Sequence, residues 1–307
     1  MNNTECPFVS VIIPVFNDAE RLKRCLAALS QQRYPADRFE IVVIDNGSDD
    51  PGAIADSTRP FSQVTLTVEP APGSYIARNK GISMAMGEII AFTDADCIPA
   101  SDWLAEGVAC LQQTPNCGQV VGNVELFFVD SQRPTLVEVY ESLTALRQDR
   151  LLKQFHGGAT ANVFTWRQVI EQVGLFNTRL KSAGDMEWGN RIFQAGYQQI
   201  YAPNVRVQHP ARSSFQALKK RALRLAGGAY NWCIKPEDSF VQKQKMFARL
   251  LLDKLIEPVK FSIETFRNPK VKSLGQRLGL TSISFYLRYA GAAELIRLKL
   301  GGNSNRE

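Results

Sequence analysis

Asp94-Ala95-Asp96 is the sharpest chemical signal in the chain. Two carboxylates one residue apart, just after an apolar run at residues 88–92, can point into a single pocket at the carboxyl end of a buried strand. Hard cations such as Mg²⁺ or Mn²⁺ take oxygen ligands and complete their shells with substrate phosphates. The pair could therefore hold a divalent cation against a diphosphate. Alone it decides little, because Asp is common in loops. Asp45 stands in the same relation to an earlier apolar run at 41–44.

These acids need a scaffold, and the first 125 residues supply one by alternating short apolar runs with helical patterns. Residues 8–15, 41–44, 64–68 and 88–92 read as strands. Residues 19–32, with Leu22, Cys25, Leu26 and Leu29 at helical spacing, read as an amphipathic helix. A second helix is predicted over 74–86, closed by Gly87, the residue type that helices favour just past their end. Such alternation calls for an open, mostly parallel sheet with helices on both faces. Right-handed crossovers place the loops after its strands on one edge, where ligands of such sheets bind. Further on, helices are predicted at 136–151 and 185–195, the latter closed by Gly196, and short strands at 197–201 and 205–208. From 213 onward the pattern is helical.

The 307 residues are 45% apolar and 21% charged, which excludes a disordered chain, a collagen-like one and a multi-pass membrane protein. The net charge of +6 is unevenly spread. Residues 1–210 carry 17 Lys/Arg against 23 Asp/Glu, whereas residues 211–307 carry 19 against 7. A basic tail on an acidic body suggests an anionic partner, a membrane surface or nucleic acid. The cluster Lys219-Lys220-Arg221 has no nucleic-acid recognition motif around it, so no nucleic-acid partner is expected. Phe247, Leu251, Leu255, Val259 and Ile263 recur every four residues, and Pro258 is expected to kink or divide that helix. Residues 278–300 are apolar but interrupted by Arg288, Glu294 and Arg297, which rules against a spanning helix. Two readings of the tail stay open: amphipathic helices lying on a membrane, or helices packed on the body with a basic face to water. The six cysteines form no C-x-x-C pair, and the first ten residues are polar, so the expectation is reduced thiols in a cytoplasmic protein.

Four blocks, in order, carry a family resemblance. The first is Val9-Ser10-Val11-Ile12-Ile13-Pro14-Val15-Phe16-Asn17-Asp18-Ala19-Glu20. Next comes Glu40-Ile41-Val42-Val43-Ile44-Asp45-Asn46-Gly47-Ser48-Asp49-Asp50. The third is Ala77-Arg78-Asn79-Lys80-Gly81, continued by Ala85 through Asp96. The last is Val173-Gly174-Leu175-Phe176, then Gly184-Asp185-Met186-Glu187-Trp188 and Arg191, with Gly196-Tyr197 and His209 behind. Together they cover about two thirds of the chain. In these blocks the sequence resembles the inverting nucleotide-sugar glycosyltransferases of family 2, which have the GT-A fold.

The resemblance implies a Rossmann-like α/β domain over residues 1–210, followed by a basic, amphipathic helical extension over 211–307. It implies transfer of one sugar per encounter from a nucleotide diphosphate donor, a UDP-sugar first among them, to a carbohydrate or lipid-linked acceptor, with Mg²⁺ or Mn²⁺ bound. Asp45 would accept from the uracil N–H, with Pro14, Phe16 and Glu20 lining the base and ribose pocket. Its plainer reading is a turn residue. Arg78 would contact the base or diphosphate. Asp94 would hold the ribose or assist the metal, Asp96 would ligate it, and His209 sits where many relatives place a third ligand, although a lone His is more often structural. Asp185 is the implied general base, standing against a plain helix N-cap. Glu187 is its backup, and Trp188 either faces the acceptor or packs in the core. The family commonly has Glu-Asp where this chain has Gly184-Asp185, which could alter how that loop meets the acceptor. Processive synthases of the family carry Q-x-x-R-W and several spanning helices, and neither occurs here. The extension could dock on the inner face of the plasma membrane. Two other functions remain open at this stage. A nucleotidyltransferase would want a glycine-rich basic loop after the first strand, where Pro14 to Glu20 has neither glycine nor Lys/Arg; a non-catalytic relative would keep only the fold.

Overall fold

The computed structural model describes residues 6–303. Four strands, β1 (Val9–Val15), β2 (Phe39–Asp45), β3 (Val64–Val68) and β4 (Ile89–Thr93), run parallel in the spatial order β3-β2-β1-β4. Helices α1 (Ala19–Leu29), α2 (Pro51–Thr58) and α3 (Ser74–Met84) connect them. The sheet continues through β5 (Ile98–Pro99), β6 (Cys117–Phe127), β7 (Asn162–Trp166) and β8 (Gln198–Pro210), giving eight strands ordered β3-β2-β1-β4-β7-β6-β8-β5. β7 lies antiparallel to β4 and β6, and β5 antiparallel to β8. Helices α4 (Trp103–Gln113), α5 (Leu136–Thr144), α6 (Gln148–Phe155), α7 (Arg167–Val173) and α8 (Gly184–Gln194) fall between these strands, and α9 (Phe215–Cys233), α10 (Phe240–Arg267) and α11 (Leu274–Lys299) follow them.

β1, β2 and β4 read as largely apolar runs because both their faces are buried, whereas edge strand β3 is only partly covered and alternates Val and Leu with Thr. On one face, Val9, Val11, Ile13 and Val15 join Leu22, Cys25, Leu26 and Leu29 of α1, Ile54 of α2 and Trp103, Leu104 and Val108 of α4. On the other, Ile12, Val42, Ile44 and Phe92 join Tyr75 and Ile82 of α3, Ile170 of α7, and Trp188 and Ile192 of α8. Each such side chain contributes about 1.5–3 kcal/mol when fully buried. This is the α/β architecture with a mostly parallel sheet and helices on both faces that the sequence implies. The one hydroxyl inside β1, Ser10, is satisfied: it donates to Glu40 (2.6 Å) and accepts from the Gly87 N–H (2.7 Å).

Several boundaries differ from expectation. α3 ends at Met84, before Gly87, whose role is close passage instead. A Cβ there would stand 2.5 Å from the Ser10 nitrogen and 2.8 Å from the Phe8 oxygen. Gly196 does follow α8 with φ +87, the left-handed geometry of a helix end. The single helix expected at 136–151 is two, α5 and α6, because Ala145 is extended and Leu146 has φ 46. The two short strands expected near 197–208 are one, β8. Pro258 lies inside α10 without ending it.

By its contacts the chain forms two compact units. One runs to Leu126 and includes Leu146–Thr178 and Asp185–Pro210; the other is Phe127–Ala145, Arg179–Gly184 and the described residues from Ala211 on. In the second, α11 packs on α5, α9 and α10 around Tyr140, Leu218, Phe261, Leu280 and Leu287. Thr135–Glu138, Ser239–Gln242 and Ser273–Gln276 form capping boxes at the starts of α5, α10 and α11. Among the described residues, no helix is long and apolar enough to cross a membrane.

Candidate active site

The register of the parallel strands brings their carboxyl ends out together. Val15 pairs with Asp45, and Ile12 with Phe92, so Phe16, Asp45 and Asp94 emerge on one edge of the sheet. On the antiparallel side, Ile98 pairs with Gln208, which sets His209 beside the chain between Asp96 and Ile98. Residues 113 positions apart in sequence thus meet.

Asp94, Asp96 and His209 each offer one ligand atom, and these atoms lie within 4.8 Å of one another. His209 Nε2 is 3.4 Å from Asp96 Oδ2. Its Nδ1 lies 2.8 Å from the Pro210 carbonyl oxygen. A carbonyl only accepts, so Nδ1 carries a proton, and Nε2 faces the carboxylates. That backbone bond orients the imidazole as outer partners orient metal-ligating histidines. Two carboxylates and an imidazole make a donor set that suits Mn²⁺ or Mg²⁺. This is the only such three-residue group among the described residues.

Neighbouring cations share the same acids. Arg21 Nη1 lies 3.6 Å from Asp96 Oδ2 and 3.4 Å from Asp18 Oδ2. Burial pushes the Asp96 carboxyl above its ordinary value; His209 and Arg21 oppose that rise, and Asp94 and Asp18 add to it. Arg78, only 5% exposed, makes a short ion pair with Asp94, which is 33% exposed. Its Nη1 donates to the Ser74 carbonyl (3.3 Å), and its Nε is buried without a partner.

Arg78 also links this group to Asp185. Asp185 lies in the first turn of α8 and is raised above the usual carboxylate range by burial, with the Arg78 charge and the Tyr75 hydrogen bond acting against that rise. The Tyr75 hydroxyl donates to Asp185 Oδ1 at 3.1 Å, and the Met186 N–H donates to the same oxygen at 3.1 Å. The Tyr75 ring stacks on Phe176 at 5.7 Å. Gly157 leaves room behind: a Cβ there would lie 3.0 Å from the Met186 Cα and 3.2 Å from the Asp185 backbone carbonyl oxygen. Gly157 is thus part of the wall against which the start of α8 rests.

The remaining sequence candidates divide. Asp45 is buried and its Oδ1 accepts the Ser48 N–H at 2.9 Å, so it does shape its turn, while leaving the other oxygen for a ligand. Pro14 is half-buried in β1; Phe16 and Glu20 are exposed beyond it. Glu187 is held by Arg191 (2.9 Å). Trp188 is fully buried and donates to the Gly174 carbonyl, so it is a core residue and not an acceptor platform. His156 stacks on Phe193 at 3.8 Å. All six cysteines are free, and burial pushes Cys25 and Cys97, next to the acidic pair, well above the ordinary thiol range.

Sequence reasoning missed Tyr75, Arg21 and Asn46. Tyr75 lies one helical turn before Arg78, and Arg21 one turn after Asp18, so i, i+3 spacing was the available signal. Asn46 was visible beside Asp45; its side chain bonds the Glu69 and Ala71 carbonyls and the Gly73 N–H, tying the loop after β2 to the loop before α3.

Comparisons with known proteins point to one family. The chain is 39% identical over 220 residues to glycosyltransferase AglE of Haloferax volcanii, covering 70% of this chain and 71% of that protein. It is 22% identical over 227 residues to a Methanococcus voltae enzyme, dolichyl N-acetyl-alpha-D-glucosaminyl phosphate 3-beta-D-2,3-diacetamido-2,3-dideoxy-beta-D-glucuronosyltransferase, covering 70% and 71%. The solved mannosyltransferase PcManGT from Pyrobaculum calidifontis, in complex with GDP-Man and Mn²⁺, superposes with TM-score 0.64 over 96% of this chain and 87% of that one, at 24% identity, a likeness of fold. The family model "Glycosyl transferase family 2" matches residues 10–217. That match takes in β1 through β8 with every acid described above, and the chain therefore belongs to glycosyl transferase family 2 and is a glycosyltransferase.

Proposed function

We propose that the enzyme moves a sugar from a nucleotide diphosphate donor, a UDP-sugar first among them, to a carbohydrate or lipid-linked acceptor, with inversion at the anomeric carbon. The observation that carries the reading is the convergence of Asp94, Asp96 and His209 at the mouth of the sheet. Asp96 and His209, assisted by Asp94, would hold a divalent cation, Mn²⁺ or Mg²⁺. Bound there, the ion would neutralise the diphosphate as it leaves. The PcManGT complex with GDP-Man and Mn²⁺ on the same fold supports a metal-assisted nucleotide-sugar reaction, and the Methanococcus voltae enzyme's name supports a lipid-linked acceptor.

The chain's own groups have separable tasks. The free oxygen of Asp45 would accept from the base N–H, with Pro14, Phe16 and Glu20 beside it. Arg78, partly unpaired and buried, places positive charge between the acidic pair and Asp185. Asp185 accepts the proton of the acceptor hydroxyl as that oxygen bonds to the anomeric carbon and the bond to the diphosphate oxygen breaks. Attack from the face opposite the leaving group inverts the centre. Base assistance of this kind contributes about 10²–10⁴-fold. Tyr75 holds the carboxylate in place for it.

A thermal-shift screen of UDP, GDP and other nucleoside diphosphates, with Mn²⁺ or with EDTA, tests the reading. Ligand at 100 Kd stabilises by about 2.7 kcal/mol, which is about 5–10 °C in a unit of this size. One nucleotide should raise the melting temperature in Mn²⁺ and lose that effect in EDTA. If no nucleoside diphosphate shifts it, or if EDTA leaves the shift intact, the cation role of Asp94, Asp96 and His209 is wrong.

A further inference from the structure

α10 is apolar on two faces. Pro258, Phe261 and Thr265 are buried on the side that meets the rest of the helical unit. On another side, Leu252, Leu255, Ile256, Val259, Ile263 and Phe266 remain 41–54% exposed. At 3.6 residues per turn these six fall within an arc of about 100°. A surface helix ordinarily presents charged and polar groups there. Three of these residues, Leu255, Val259 and Ile263, belong to the four-residue repeat visible in the sequence, so its later part marks an outward face, whereas Phe247 and Leu251 are half-buried.

The charges nearest the row are basic. Arg249, Lys260 and Arg267 are exposed along one edge, and exposed Lys245 lies in line with the row itself. Asp253 and Glu264 stand farther round the helix. The whole segment from residue 211 carries 19 Lys/Arg against 7 Asp/Glu. A second copy of the chain would bring the same positive charge to the interface, whereas an anionic lipid surface brings the opposite. An apolar row edged by bases is the pattern of a helix lying in the plane of a membrane interface, its apolar side chains below the headgroups and its bases level with lipid phosphates.

We propose that the outward row of α10, edged by Arg249, Lys260 and Arg267, seats this enzyme on an anionic lipid bilayer. This binding is independent of the transfer chemistry, so its failure would leave the proposed reaction standing. The test is co-sedimentation of the full chain with phosphatidylcholine vesicles, with and without phosphatidylglycerol. The wild type should bind the anionic vesicles, and added salt should weaken that binding. Val259→Asp with Ile263→Asp, both on the exposed row, should weaken it by about tenfold or more. Lys260→Glu with Arg267→Glu, which touches no apolar position, should erase the preference for phosphatidylglycerol. Wild-type protein that stays in the supernatant would overturn the proposal, as would either variant pair binding like wild type. So would a dimer, seen by analytical ultracentrifugation, that the Val259 and Ile263 substitutions dissociate while lipid binding is unchanged.

Discussion

Tyr75→Phe separates the placement of Asp185 from its chemistry. The substitution keeps the ring that stacks on Phe176 and removes only the hydroxyl that donates to Asp185 Oδ1 at 3.1 Å. Hydrogen bonds to charged groups contribute about 1.5–3 kcal/mol. At 3.1 Å this one is long for its kind, where about 2.7–2.8 Å is usual, so about 1.5 kcal/mol is the fitting figure. That energy favours the ionised carboxylate against burial, which pushes Asp185 above the ordinary range. A general base acts only when deprotonated. Transfer should therefore decline as pH falls through a point above that of an ordinary Asp, and loss of the Tyr75 donor should move the decline to still higher pH. Within that window the variant should be slower by about tenfold, the equivalent of about 1.4 kcal/mol, with a smaller deficit at higher pH. The assay is the initial rate of nucleoside diphosphate release across pH, with the donor that the thermal screen selects. An acid limb that stays put or moves down would refute the assignment of Asp185 as base. Asp185→Asn is the companion: it should cost about 10²–10⁴ in rate and abolish the limb. Because the folded carboxyl is raised, its contribution to stability is present below its unfolded pKa and lost as pH rises through the folded one. At pH 7 the Asn variant should therefore melt at or above the wild-type temperature.

Three further substitutions have distinct expected outcomes. Asp96→Asn removes a half-buried carboxylate crowded by two others and should leave the apo-protein at least as stable, yet titration calorimetry should find Mn²⁺-dependent nucleotide binding lost; Asp94→Asn instead strands buried Arg78 and should destabilise by up to about 3 kcal/mol, discounted for the exposure of Asp94. Gly81→Ala would place a Cβ 2.6 Å from Ile12 Cγ2 and 2.7 Å from Ile44 Cδ1, so α3 must lift from the sheet, and a cost of about 1–3 kcal/mol should appear in chemical denaturation; a neutral result would mean that the close packing of α3 on β1 and β2 is wrong.

The sequence was most legible where burial is two-sided. β1, β2 and β4 are largely apolar because helices cover both faces, and parallel register then delivers Asp45 and Asp94 to one edge without any knowledge of side chains. Legibility failed where a contact joins distant segments. Tyr75 and Asp185 are 110 residues apart, and nothing local to either one announces the bond. Leu146 breaks a helical pattern at φ 46 with no glycine or proline to mark it. β8 runs through Pro203 as one strand where two short ones were expected. α10 shows the limit most plainly. A four-residue repeat says that a helix has an apolar face, but the free energy of burial is the same whether protein or lipid removes it from water. Here Phe261 and Thr265 take the protein side and Val259 and Ile263 do not. What covers the second face is therefore set by the charge around it, and along α10 that charge is positive.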